Sequence, residues 1–145
     1  MKILELGHVV LYVSNLSRSA DFYRDTLGFT EIAREVGMAA FSSGRTHHEL
    51  LLLEVGGEPR KKEMEPGLYH IGFKIGDSTE DLKKAFQELK GRGVSIVGSA
   101  DHGVTHSLYI LDPDGNELEL YADVNDAWKT DPQAVMSSVR SLKLD

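Results

Sequence analysis

Gly7-His8-Val9-Val10-Leu11-Tyr12-Val13 is answered, 62 positions further on, by Tyr69-His70-Ile71-Gly72-Phe73-Lys74-Ile75. Both runs are rich in β-branched and aromatic residues, the composition of a strand, and each carries a histidine near its head. Each leads into a helix-like stretch, a glycine break and further strand-like runs. The repeat implies two copies of one module related by a pseudo-twofold axis, and it makes the two histidines candidate ligands of a common site.

Working outward in the first copy, residues 3–13 read as a strand. Residues 17–27 follow, with Leu16, Ala20, Phe22, Tyr23 and Leu27 near helical spacing and Gly28 as the stop. Strands are expected at 30–36 and 38–42, a turn at Ser43-Gly44, and a fourth strand at 48–55. The second copy gives a strand at 68–75 and a helix entered at Ser78 with Asp81. Its apolar stripe is Leu82, Ala85, Phe86 and Leu89, and Gly91 and Gly93 end it. Strands at 94–97, 107–111 and 117–121 complete it, the last two joined by the turn Asp112-Pro113-Asp114-Gly115. Both halves read βαβββ. The expected fold class is α+β: two tandem modules forming a curved mixed sheet around a metal site, in one domain spanning 1–145. Module 1 covers about 3–55, a linker 56–66, module 2 about 67–122 and a tail 123–145. The linker run Arg60-Lys61-Lys62-Glu63 reads as a solvated loop. The tail is expected to hold a helix to about Arg140, capped by Asp131 with Pro132 at its first position.

Composition limits the function. A chain of 145 residues, 41% hydrophobic and 27% charged, is that of a globular protein able to bury about 70% of its unfolded surface. A formal charge of −7 argues against a nucleic-acid or anionic-membrane surface, because phosphate binding needs a basic face. The absence of cysteine excludes disulfides and thiolate metal sites, so a metal must be held by His, Asp or Glu. Glu5 and His8 interrupt the first apolar run, unlike a signal peptide, and no run is long enough to span a bilayer. The expectation is a soluble cytoplasmic protein with neither nucleic-acid nor membrane partners.

Strand alternation then sorts the side chains. Tyr69, Ile71, Phe73 and Ile75 share one face, suited to packing on the helix, while His70 and Gly72 share the other. His8 stands in the same relation to Val9, Leu11 and Val13, and Gly72 leaves room beside His70. Counting four residues from the turn glycines matches Glu119 with His48. Glu119 lies between Leu118 and Leu120 and needs a partner or a cation, since an isolated buried charge is very costly. Two histidines and one carboxylate with open positions is a ligand set typical of non-haem Fe(II), accepted also by Mn(II) and Zn(II). Glu117 shares the parity of Glu119 and is taken as nearer the turn and more exposed. His47 and Glu49 are alternatives to His48, with parity placing them on the opposite face. His102, His106 and Tyr109 gain interest from their density near the proposed site.

The segments GHVVLYVSNLSRSADFYRDTLGF, GLYHIGFKI and LYILDPDGNELELY resemble the vicinal oxygen chelate superfamily, which includes glyoxalase I, bleomycin-resistance proteins, fosfomycin-resistance thiol transferases and type I extradiol dioxygenases. The resemblance covers residues 3 to about 128, and its finer motifs look most like the dioxygenases. It implies a metal triad of His8, His70 and Glu119. It also implies an acid–base histidine at His48, a pocket tyrosine at Tyr109, and a pocket histidine at His102, with His106 as the substitute. The implied reaction is Fe(II)-dependent cleavage of a catechol-like aromatic with O₂, with Mn(II), Zn(II) or Ni(II) as alternative metals, in a homodimer or higher homo-oligomer. His48 would accept a catechol proton and return it later, while Tyr109 and His102 would position the substrate oxygen.

The chain also departs from the family pattern. The large extradiol enzymes have four such modules, against two here. Glyoxalase I adds a fourth ligand, often glutamate, in the first module's fourth strand, where this chain matches His48 with Glu49 beside it. The alternative readings are therefore a glyoxalase-like isomerase, a thiol transferase, or a protein that binds a small molecule without catalysis.

Overall fold

The computed structural model describes residues 1–59 and 66–145; the linker charge run Arg60-Lys61-Lys62-Glu63 lies outside the described residues. The chain divides into two compact units. Unit 1 is Met1–Lys61 with Pro113–Gly115, and unit 2 is Lys62–Asp112 with Asn116–Asp145.

In unit 1, β1 (Val9–Val13) is followed by α1 (Leu16–Asp21), which continues as a π-helical turn over Phe22–Thr26, and by β2 (Thr30–Glu35), β3 (Met38–Ser42) and β4 (Leu50–Glu54). The sheet order is β1-β4-β3-β2, with β1 and β4 parallel and the other pairs antiparallel. Asn15 caps α1 by accepting from the Arg18 N–H, and Gly28 leaves the helical stretch at φ 78°. Leu11, Val13, Leu16, Ala20, Tyr23, Phe41, Leu50 and Leu52 make the core. Each large apolar side chain fully buried there contributes about 1.5–3 kcal/mol. The buried carboxylate of Asp114, also part of unit 1, accepts from the Ser14 N–H (3.2 Å), the Ser14 hydroxyl, the Ser19 hydroxyl (3.1 Å) and Arg18 (3.0 Å).

Unit 2 repeats the order with β5 (His70–Gly76), α2 (Thr79–Gly91), β6 (Ile96–Asp101), β7 (Thr105–Leu111) and β8 (Glu117–Asp123), and adds a short β9 (Arg140–Ser141). Its sheet order is β5-β8-β7-β6-β9, again with the first and last module strands parallel. Ser78 caps α2, accepting from the Asp81 N–H. Leu82 and Leu89 bury its apolar stripe against β5, β7 and β8. The expected α+β class and the doubled βαβββ order are both present, as two mixed sheets with few helices.

Several boundaries differ from expectation. β1 begins at Val9 rather than residue 3, because the first rung is the Val9 N–H to the Glu49 carbonyl (2.9 Å) and β4 offers nothing earlier. The carbonyls of Leu6 and Gly7 accept instead from the Arg45 guanidinium. β4 begins at Leu50, so His8 and His48 both sit just ahead of strands. β6 extends to Asp101 because a bulge between Ile96 and Gly98 absorbs the glycine and β9 supplies a partner at Ala100 and Asp101. On the apolar side of β5, Ile71 is buried, while Tyr69, just ahead of the strand, and Ile75, at the bulge between Lys74 and Gly76, are exposed.

The expected tail helix to Arg140 is absent. Asp131 does cap, accepting from the Gln133 N–H, and Pro132 does start a turn. Only 3₁₀ turns form, at Ala127–Lys129 and Pro132–Met136, before the chain joins the sheet as β9.

Gly76 is where β5 meets the α2 cap, and an added Cβ there would run into the Asp81 side chain. Gly76→Ala is expected to destabilise the fold by about 1–3 kcal/mol, read as a lowered urea midpoint. Gly91→Ala, where a Cβ meets nothing within 4 Å, should leave the midpoint unchanged or raise it.

Candidate functional site

The register of unit 2 builds a polar face. His70 pairs with Glu117 and Gly72 with Glu119 across β5 and β8, while Tyr109 of β7 lies opposite Glu119. Alternation puts these side chains on one side of the sheet and Ile71, Leu108, Ile110, Leu118 and Leu120 on the α2 side. His70 Nε2 stands 3.0 Å from Glu119 Oε2. The other oxygen, Oε1, accepts from the Ser107 hydroxyl at 2.6 Å and the Tyr109 hydroxyl at 3.3 Å. Tyr109 is in turn 2.7 Å from His102 Nε2. His70, Glu119, Tyr109 and His102 thus form one continuous line in unit 2.

Burial, and then the Glu119 charge, push the Tyr109 phenol up to about 12. Tyr109 is therefore a neutral hydroxyl at physiological pH, able to donate. Gly72 keeps the face open: an added Cβ would lie 3.5 Å from Tyr121 and 3.7 Å from Glu119 Oε2.

Ser107 joins this line without being among the residues expected from the sequence. It is fully buried and lies two positions from Tyr109, so strand parity alone would have placed its hydroxyl on the Tyr109 side. Glu117 was expected to be the more exposed glutamate, yet its side chain is 6% exposed against 17% for Glu119. The β8 strand continues to Asp123 beyond both residues, and pairing with β5 begins at Glu117. His106 belongs to a different environment, with Nδ1 2.8 Å from the Thr79 hydroxyl and Nε2 3.5 Å from Asp101. His102 is the histidine that reaches Tyr109.

Unit 1 gathers the remaining candidates. His8 and His48 have ring centroids 4.6 Å apart, and His48 Nδ1 is 2.6 Å from His47 Nδ1. The expected opposition of His47 and His48 fails because both precede β4, where strand alternation does not apply. Desolvation, then the neighbouring His47 and His8, hold His48 below the ordinary imidazole value. This favours the neutral ring, which has a lone pair to accept a proton.

The matching of His48 with Glu119 is also corrected by register. Val9 pairs with Leu50 and His70 with Glu117, so Leu51 corresponds to Glu119, and Glu49 to Glu117. Glu49 is committed to the Ser43 N–H and hydroxyl, both at 2.8 Å, and to Arg45 at 3.4 Å.

Among the described residues no three His, Asp or Glu side chains converge to hold a metal by themselves. The His70–Glu119 pair nevertheless fits two ligands of such a site. Two ligand atoms each about 2.1 Å from an ion and at right angles stand about 3.0 Å apart, the separation of Nε2 and Oε2. Binding of Oε1 by Ser107 leaves Oε2 as the available donor. His70 Nδ1 is buried without a hydrogen-bond partner, which a simple His–Glu ion pair leaves unexplained.

Residues 5–120 match the model of the Glyoxalase/Bleomycin resistance protein/Dioxygenase superfamily. The chain is 32% identical over 120 residues to biphenyl-2,3-diol 1,2-dioxygenase 3 of Rhodococcus globerulus, covering 81% of this chain but 63% of that enzyme; it therefore spans less than two thirds of that relative's length. It is 33% identical over 118 residues to the metallothiol transferase FosB of Staphylococcus haemolyticus, covering 80% of this chain and 81% of the relative. The structure of the fosfomycin resistance protein FosX of Listeria monocytogenes superposes with a TM-score of 0.67 at 23% identity, over 85% of this chain and 96% of that one, and shares the fold.

Ser107→Ala removes the shorter of the two hydrogen bonds to Glu119. A charge-assisted bond of this kind contributes about 1.5–3 kcal/mol, so the variant should unfold at lower urea than the wild type. Ser107→Thr, which keeps the hydroxyl, should recover part of the difference.

Proposed function

The chain belongs to the Glyoxalase/Bleomycin resistance protein/Dioxygenase superfamily, and from that premise we propose that it is a metal-dependent extradiol dioxygenase cleaving a catechol-like aromatic with O₂. The observation that carries this reading is the line of side chains from His70 through Glu119 and Tyr109 to His102. Its donors suit a metal at one end and a proton-handling pair at the other. In this reading His70, Glu119 and His8 hold the ion, with Fe(II) as the native metal and Mn(II), Zn(II) or Ni(II) able to replace it. An Fe(II) ion so held would supply electronic coupling between a bound catecholate and O₂.

The remaining roles belong to side chains. The neutral Tyr109 hydroxyl donates to a substrate oxygen beside Glu119, and His102 holds that hydroxyl in place. His48 accepts a catechol proton and returns it as the ring opens. Gly72 leaves the flat space that an aromatic ring needs next to Glu119.

Two features support this reading over the other chemistries of the superfamily. A phosphonate substrate calls for free cations, whereas Lys74, the cation on the His70 side of β5, is held by Asp77 (2.5 Å) and Asp123 (2.7 Å). A fourth carboxylate ligand from the first module, as in glyoxalase I, finds Leu51 at the position matching Glu119. The thiol-transferase reading draws on the 33% identity to FosB over 80% of this chain and 81% of that relative and is the second candidate. The working species is taken to be a cytoplasmic homodimer or higher homo-oligomer. Exposed apolar side chains such as Leu4, Leu6, Tyr12 and Val36 support the association. Among the described residues, no helix is long and apolar enough to cross a membrane.

Anaerobic reconstitution with Fe(II), followed by O₂ and a panel of catechols, should give a yellow ring-opened product with matching oxygen uptake. His70→Ala is expected to lose metal binding, and His48→Ala to keep the metal while kcat falls about 10²–10⁴-fold, the usual range for a lost acid–base group. Silence across the panel together with thiol transfer to an epoxide would replace the dioxygenase reading with the second one. Loss of metal from His48→Ala would make His48 a ligand instead.

A further inference from the structure

His70 lies between two carboxylates. Its Nε2 is 3.0 Å from Glu119 Oε2, and its Nδ1 is 3.6 Å from Glu117 Oε1. Parallel pairing of β5 and β8 fixes this arrangement, since it sets His70 directly beside Glu117 and Glu119 two residues further along the same face. Nδ1 is sealed from solvent and makes no hydrogen bond, and the Glu117 side chain beside it is 6% exposed.

A neutral imidazole carries one N–H, on either nitrogen. With the proton on Nε2, the ring donates to Glu119, and the Nδ1 lone pair faces the buried oxygen of Glu117. That is two acceptors in opposition. With a cation on the Nε2 lone pair, the proton sits on Nδ1 and faces Glu117 instead. The second arrangement removes the conflict at both nitrogens.

We propose that Glu117 is a positioning residue for the metal site: its carboxylate receives the Nδ1–H of His70, selecting the tautomer whose Nε2 lone pair faces the ion and making that nitrogen a stronger donor. The inference rests on the metal-dependent reading above and extends it to a residue that touches neither metal nor substrate. The first unit provides the contrast. Its register equivalent, Glu49, turns its oxygens to Ser43 and Arg45, whereas Glu117 stands beside the histidine ring.

The test uses Zn(II), which is diamagnetic, with the full-length chain. Affinity is measured by competition with a chromophoric chelator for the wild type, Glu117→Gln and Glu117→Leu, with Glu119→Ala as the ligand-loss reference. The protonation of each His70 nitrogen is read from long-range ¹H–¹⁵N spectra, and thermal unfolding of the metal-free proteins checks the fold. In the loaded wild type, His70 should carry its proton on Nδ1. Glu117→Leu should raise the Kd for Zn(II) about 10–100-fold, the usual effect of losing such a partner. Glu117→Gln, nearly isosteric and still able to accept, should raise it less.

The proposal is overturned if folded Glu117→Leu binds Zn(II) as the wild type does, or if loaded His70 is protonated on Nε2. It is also overturned if Glu117→Gln abolishes binding as completely as Glu119→Ala, which would make Glu117 a ligand. Failure of the wild type itself to bind Zn(II) is a separate result, and it removes the metal-dependent reading.

Discussion

The parallel pairing of the first and last strands of each module is the constraint on which everything else depends. Parallel neighbours cannot be joined by a hairpin, so the chain must cross one face of the sheet as a helix and return through two antiparallel strands. That single requirement covers one face with α1 or α2 and leaves the other to different side chains. It also brings the head of the first strand alongside the fourth. In unit 2 the result is His70 beside Glu117 and Gly72 beside Glu119. A slip of one residue would turn both glutamates into the leucine core under α2, so the hydrophobic register of Leu118 and Leu120 also aims the glutamates.

Much of this was legible in the chain because the signals were local. The β3 span Met38–Ser42, the Ser78 cap with its reciprocal Asp81, and the side of the sheet shared by His70 and Gly72 followed from turn chemistry and alternation. The errors lie where a distant partner decides. The strand expected at 94–97 runs on to Asp101, because β9 and a bulge carry β6 past Gly98. Asp131 and Pro132 read as the start of a helix, and they do start a turn, but the edge of β6 takes the chain afterwards. His47, His48 and Glu49 were sorted by an alternation that applies only inside a strand, and β4 begins at Leu50. Counting from glycines matches His48 with Glu119 only if the two turns run equally far to their strands. Hydrogen-bond register shows that they do not.

The site residues divide the same way. Of His102, His106 and Tyr109, which the sequence sets close together, His102 and Tyr109 join Glu119 within unit 2 while His106 turns to Thr79 and Asp101, and the role of Ser107 needed the pairing of β7 with β8. Nothing in one sequence marks a serine as the group that occupies one oxygen of a glutamate. The burial of Glu117 was likewise hidden, because nearness to a turn is a poor guide when β8 is flanked on both sides by other strands.

Comparison of the two units then becomes an internal control. They share one backbone plan, so unit 1 shows what the plan requires. Opposite β1 it is satisfied by Leu51 and by a Glu49 whose charge is spent on Ser43 and Arg45. Unit 2 instead places Glu117 and Glu119 side by side on one face, both largely shielded from water. Desolvation and like-charge repulsion oppose such a pair, and the fold does not demand it, since the same register works with leucine in unit 1. The positions therefore answer to a different requirement. The group standing between the two carboxylates is His70, and a ring with a single N–H can satisfy only one of them as a donor. A cation at Nε2 satisfies both. The departure from symmetry thus falls where a positive charge is needed, and the same donor set is suited to bind one.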